Sequence, residues 1–164
     1  MKTPRILKHL LTTHGHIARA FPRSALTAIE KAIRSSETAH GGEIRFVVEG
    51  ALDGMPLFKG QSPKERAIDL FARLRVWDTE HNNGLLIYLL LADRAVEIVA
   101  DRGIHAKVGA EEWRKVCHQM EAAFRQSNYE GGVVSGVHAV TQHLVRHFPA
   151  DDRPNELSDR PVVL

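Results

Sequence analysis

From Leu85 to Ala92 the chain runs eight apolar residues without interruption, between Gly84 and the turn pair Asp93-Arg94. That length suits a β-strand and falls far short of the ~20 residues that a membrane-spanning helix requires. An amphipathic strand would alternate, whereas a continuous run needs apolar cover on both of its faces. The expected architecture is therefore an α/β fold, a three-layer α/β/α sandwich around a small mixed β-sheet.

The flanking segments supply the other layers. Glu43 to Glu49 alternates, with Ile44, Phe46 and Val48 on one side and Arg45 and Val47 on the other, which predicts a strand. Ser62-Pro63-Lys64-Glu65 reads as a capping box with proline at the first helical position, and it opens a helix carrying Ala67, Leu70, Phe71 and Leu74. A right-handed crossover through that helix makes the first two strands parallel. After Ala92-Asp93-Arg94 the segment Ala95 to Ala100 alternates again and completes a hairpin. Helical spacing marks residues 5–20, with Ile6, Leu10, Ile17 and Ala20 inward, and 24–38, with Leu26, Ile29 and Ile33 inward. Two later helices follow from Trp113, Val116, Met120 and Phe124, and from Val133, Val137, Val140, Leu144 and Phe148. Residues 149–164 hold three prolines and many charges, a composition that predicts disorder. The expected organisation is a basic N-terminal helix over 1–22, a domain over 23–148 and a disordered tail over 149–164.

Charge and cysteine content narrow the function classes. A net charge of +2 over 164 residues, with no dense basic run, argues against a nucleic-acid-coating role. The charge is nevertheless uneven. Over residues 1–36, seven bases (Lys2, Arg5, Lys8, Arg19, Arg23, Lys31 and Arg34) face the single acid Glu30. Such a segment points to a membrane-associated or acidic protein partner. The lone Cys117 permits no internal disulfide and suits a reducing compartment, and no transmembrane segment is expected. The expected location is the cytoplasm, including the inner face of its membrane.

Candidate chemistry gathers at one end of the hairpin, where the loop 78–84 meets residues 101–103. Asp78, Glu80 and Asn82 place oxygens at alternate positions, and Asp101 adds a carboxylate from across the hairpin, a pattern suited to a hard cation such as Ca2+. It is not an EF-hand, because Gly84 comes one position late and Leu89 stands where the bidentate glutamate belongs. No Walker loop, nucleophile elbow or H-E-x-x-H is present. His143 and His147 read as a solvated helix face, Cys117 as an inert buried thiol, and Trp77 and Trp113 as packing residues.

The segments Arg75-Val76-Trp77-Asp78, Asn82 to Arg94 and Val96 to Ile104 together resemble the core of the TPM domain family. The resemblance spans about Ala25 to Phe148 and implies the same α/β/α sandwich. Some members bind calcium and a plant member is an acid phosphatase, so the resemblance implies calcium binding and phosphatase-type hydrolysis. The matching positions are Asp78, Asn83, Gly84, Asp93, Arg94, Asp101 and Gly103, with Arg102 between the last two. The family's glycine-rich stretch before the second strand is here Trp77 to His81, and its glycine-x-glycine after the third strand is Asp101-Arg102-Gly103. Two expectations of different class stand side by side: a calcium-binding, phosphatase-type domain, and a non-enzymatic module that docks a partner through its basic N-terminal helices.

Overall fold

The computed structural model describes residues 2–164, with side chains from residue 4 onward. Three helices come first, α1 (Lys2–Leu11), α2 (His14–Ala20) and α3 (Arg23–Glu37), followed by strand β1 (Glu43–Glu49). Helices α4 (Gly54–Phe58) and α5 (Pro63–Arg73) lead to strands β2 (Gly84–Leu90) and β3 (Ala95–Ala100). The chain closes with α6 (Arg102–His105), α7 (Ala110–Arg125), α8 (Tyr129–His147) and strand β4 (Val162–Val163). The sheet order is β3-β2-β1-β4, with β1 parallel to β2 and β4 and with β2 antiparallel to β3.

Every residue of β2 is buried, as its continuous apolarity requires. Leu85, Ile87 and Leu89 face a core built with α3, α7 and α8, in which Ile29, Met120, Phe124 and Val137 are fully or almost fully enclosed. Leu86, Tyr88 and Leu90 face the opposite core, shared with Leu57, Ala67, Leu70 and Val76. The molecule is thus an α/β/α sandwich, and Ser62 caps α5 through the reciprocal bonds expected of its capping box.

Three features depart from the sequence expectations. The helix expected over 5–20 is broken at Thr12-Thr13, because Thr13 and His16 form a capping box of their own: the Thr13 N–H donates to His16 Nδ1 at 3.0 Å. Leu10, expected inward, is 65% exposed. The tail is ordered where disorder was expected. The Glu43 carboxylate accepts the N–H groups of Glu156 and Leu157, Arg45 donates to the carbonyls of Ser158 and Arg160, Asp159 is buried, and Val162 pairs with Val47. Backbone groups of the tail are satisfied by β1 rather than by water, and its buried Asp159 is met by Arg34 of α3 and by Asn155, so its low apolar content does not prevent ordering.

Candidate functional site

The polar residues of the sheet fall at its two ends. At the end where β2 begins and β3 finishes, the backbone does the joining. Asp101 N–H donates to the Gly84 carbonyl and Gly103 N–H to the Asn82 carbonyl, both at 2.9 Å. A Cβ at Gly103 would meet the carbonyl oxygens of Asn82 and His81 at 2.6 and 2.7 Å, and one at Gly84 would strike the carbonyl of Val76. Glycine at both positions is what lets the loop 78–84 close onto 101–103. Asn82 helps by adopting the left-handed region, with φ of 52°.

This end brings Asn82, Asn83, Gly84, Asp101, Arg102 and Gly103 together, but it does not draw in the other two carboxylates. Asp78 pairs with Arg75 at 2.7 Å, with both side chains in solvent, and Glu80 is exposed. Among the described residues, no three His, Cys, Asp or Glu side chains converge on a point that could hold a metal. Two oxygens are nonetheless poised there. Asp101 is 8% exposed, and its Oδ1 caps α6 by accepting from Arg102 N–H at 2.7 Å. Asn83 is 1% exposed; its amide nitrogen donates to the Gly41 carbonyl and its N–H to Thr79 Oγ1 at 3.1 Å. Asp101 Oδ2 and Asn83 Oδ1 have no hydrogen-bond partner among the described residues. Calcium takes six to eight oxygens. The arrangement as it stands therefore does not fit that ion without movement of Asp78 and Glu80.

The opposite end, where parallel strands β1 and β2 finish, is organised by side chains. Asp93 in the β2–β3 turn receives Arg5 Nη2 at 2.7 Å, Arg5 Nε at 3.0 Å and His9 Nε2 at 3.0 Å. His9 Nδ1 accepts from Leu52 N–H at 2.9 Å, which fixes the proton on Nε2 and makes that nitrogen the donor to Asp93. Partial burial alone would push the Asp93 carboxyl up, but Arg5 and His9 outweigh it and hold the group below the ordinary carboxylate range. Beside it, Glu49 accepts from Tyr88 Oη at 2.6 Å and from Arg66 at 2.7 and 2.9 Å, a buried cluster that pins α5 to the sheet. Burial and the adjacent Glu49 carboxylate push the Tyr88 phenol well above its ordinary range.

Between α1, α2 and the β2–β3 turn lies a cleft of about 710 Å3. Lys8, His16, Arg19 and Arg94 line it, with Tyr129 and Leu11 contributing apolar wall. Its single lining acid, Asp93, is already committed to Arg5 and His9. Arg94 is held with φ of 51°, in a region that non-glycine residues rarely occupy. Leu11 of the cleft wall, Leu7 and Leu10 elsewhere on α1, and Met55 and Phe58 of the neighbouring α4 are each more than half exposed. Carboxyl ends of parallel strands are where open α/β sheets commonly place ligands. The sequence flagged Asp93 and Arg94 but not their partners. The basic surplus of residues 1–36 had already singled out Lys8 and Arg19, without placing them beside Asp93 and Arg94.

Cys117 packs in the core, where burial pushes its thiol up to about 12, too high for a nucleophile. His143 is edge-on to Trp113, with ring centroids 5.3 Å apart. No described helix is long and apolar enough to cross a membrane.

Three comparisons bear on this geometry. The TPM domain family matches residues 17–143. The solution structure of the BA42 protein from the psychrophilic bacterium Bizionia argentinensis superposes with a TM-score of 0.74 at 30% identity, covering 86% of this chain and 93% of that one. The N-terminal domain of a protein from P. gingivalis superposes with a TM-score of 0.57 at 25% identity, covering 74% of this chain and 76% of that one. Among curated proteins none matches the chain.

Proposed function

The chain belongs to the TPM domain family, and we propose that within it this protein is a docking domain that seats the carboxyl end of its sheet on an anionic membrane surface. One observation carries the reading: a cleft lined by Lys8, Arg19 and Arg94, with its lone acid neutralised, has the exposed Leu11 in its wall, and four more exposed large apolar side chains stand on α1 and on α4 packed against it. Bases attract anionic headgroups at ~1 kcal/mol each, and leucine, methionine and phenylalanine gain by leaving water for the acyl boundary. Bases and apolar residues on one face are the combination that an interfacial surface needs. The cytoplasmic face of a membrane, rich in anionic lipid, is the surface this chemistry fits.

Co-sedimentation with phosphatidylglycerol vesicles tests the reading. The wild-type chain pellets with these vesicles and not with phosphatidylcholine ones, and binding weakens as salt rises from 0.05 to 0.5 M, values chosen to bring the screening length from well above to well below ~10 Å. Replacing Lys8, Arg19 and Arg94 together by glutamine lowers affinity about 100-fold, from ~1 kcal/mol per base. Equal binding to neutral vesicles, or an unaffected triple variant, would overturn the proposal.

A second reading rests on Asp101 Oδ2 and Asn83 Oδ1, two buried oxygens without partners. It holds that calcium binds at the hairpin end, with Asp78 leaving Arg75 and Glu80 and Asn82 turning inward, and that phosphatase-type hydrolysis accompanies it. The family supports the activity, and the two oxygens support the place. Calcium titration followed by amide NMR checks it: shifts confined to 78–84 and 101–103, lost in the Asp78→Ala/Asp101→Ala double variant, are expected. Hydrolysis of p-nitrophenyl phosphate that depends on the same two residues would extend the reading to catalysis, and silence at those amides at several millimolar calcium would remove it.

A further inference from the structure

The three bases of the α1–α2 cleft come from three different elements: Lys8 from α1, Arg19 from α2 and Arg94 from the turn between β2 and β3. Each element is held by bonds of its own. Arg5 and His9 tie α1 to Asp93, and the capping box of Thr13 and His16 sets the start of α2. The turn is closed by the Arg94 N–H on the Leu91 carbonyl at 3.0 Å. The bases are therefore carried on a fixed frame, which lowers the cost of ordering them around a ligand.

Their charge is not neutralised within the chain. Arg66 is bound by Glu49, Arg34 by Glu30 and Arg5 by Asp93. Lys8, Arg19 and Arg94 have no acid at ion-pair distance among the described residues, and Asp93, the one acid of the lining, is already taken. His16, also in the lining, is engaged by Thr13.

A flat basic surface responds to the total charge of a membrane. A concavity that gathers bases from several elements can instead set them on separate oxygens of one group. A guanidinium matches phosphate with two parallel N–H···O bonds, and an ammonium adds a point charge. A phosphomonoester offers three acceptor oxygens and about −1.5 to −2 of charge near neutral pH, more on both counts than the phosphodiester of phosphatidylglycerol. The cleft's 710 Å3 falls within the ~300–1,000 Å3 of small-ligand sites, so a phosphate can enter together with the glycerol that bears it. Leu11, exposed in the same wall, supplies apolar contact beside the bases.

Building on the docking reading, we infer that this cleft is a headgroup site for a lipid that ends in a phosphomonoester, with Lys8, Arg19 and Arg94 on the phosphate and Leu11 against the chain that leaves it. The test compares the full-length protein on two sets of phosphatidylcholine vesicles, one carrying phosphatidic acid and the other enough phosphatidylglycerol to give the same zeta potential. Binding about tenfold tighter to phosphatidic acid is expected, from the added charge-assisted bonds. The Arg19→Lys/Arg94→Lys double variant keeps both charges and removes the two-pronged geometry, so it should bring that preference below about threefold. Glycerol 3-phosphate, which lacks the acyl chains, should bind at least about tenfold more weakly than the lipid. Equal affinity for the two charge-matched surfaces, or a preference that survives the double variant, would overturn this inference and leave the docking reading standing. Binding to neither surface would overturn the docking reading as well. Glycerol 3-phosphate bound as tightly as phosphatidic acid would overturn the lipid and make the ligand a soluble phosphomonoester.

Discussion

The two ends of the sheet use the same kinds of residue to opposite effect. Where β1 and β2 finish, Asp93 is enclosed by Arg5 and His9 from α1, and Glu49 by Arg66 and Tyr88. Where β2 begins, Asp78 meets a base only in solvent, Glu80 is exposed, and closure depends on backbone contacts at Gly84 and Gly103. The first end satisfies its acids and leaves bases open around a cleft. The second leaves Asp78 and Glu80 outside and keeps two buried oxygens, one of them from Asp101, without partners. What separates them is which element crosses the strand ends: α1 brings bases to the acids at one, and at the other the loop 78–84 meets the first turn of α6 through its backbone. A sequence motif of acids therefore does not by itself name the functional end.

The largest effect expected of any change that would break this contrast is at Asp93. Asp93→Ala leaves a fully enclosed imidazole N–H and a partly buried guanidinium without an acceptor, and it should cost about 3 kcal/mol in urea unfolding, the lower part of the range for broken buried pairs. It should also free α1 and abolish vesicle binding. An Asp93→Ala protein as stable as the wild type would mean that α1 is held by its apolar contacts alone. Next comes Gly103→Ala, which must push apart two backbone carbonyls. A loss of about 2 kcal/mol in thermal unfolding is expected by analogy with overpacked cores, with vesicle binding intact. At the small end, Asp78→Asn removes an exposed pair and should change stability by less than about 0.5 kcal/mol. A large effect there would place Asp78 in a structural role that its exposure does not indicate.

Acidity supplies a finer probe, at the start of β1 beside the end where β2 begins. Burial, with Glu43 and Asp159 nearby, raises the Glu37 carboxyl to about 9 although its oxygen accepts the Ile44 N–H. A raised carboxyl means the folded state holds its proton more tightly than the unfolded one, so this contribution is complete below pH ~4.5 and is lost as pH climbs toward 9. Glu37→Gln should flatten that decline in stability. An unchanged profile would assign the alkaline loss to another group.

Much of this was readable in the chain. The run from Leu85 to Ala92 fixes a strand buried on both faces, and the Ser62 box fixes the crossover helix, because both signals are local and periodic. The tail escaped because composition treats Asp159 and its neighbours as solvated, whereas Arg34 reaches Asp159 and Glu43, Arg45 and Val47 receive the backbone around it. The Asp93 cluster escaped for a related reason. Arg5 and His9 lie 88 and 84 positions from their partner, and no periodicity links residues so far apart. The break at Thr12-Thr13 was hidden because His16 fills the role that glutamate usually plays in a capping box.

The central claim is that the α1 end, and not the hairpin end, meets an anionic surface. The most direct test is amide NMR of the labelled protein titrated with phosphatidylglycerol nanodiscs at low and high salt. Salt-sensitive broadening confined to α1, α2, α4 and Asp93-Arg94, with 78–84 and 101–103 unchanged, is the predicted result. Broadening centred on 78–84 and 101–103, or none at any lipid concentration, would contradict the account.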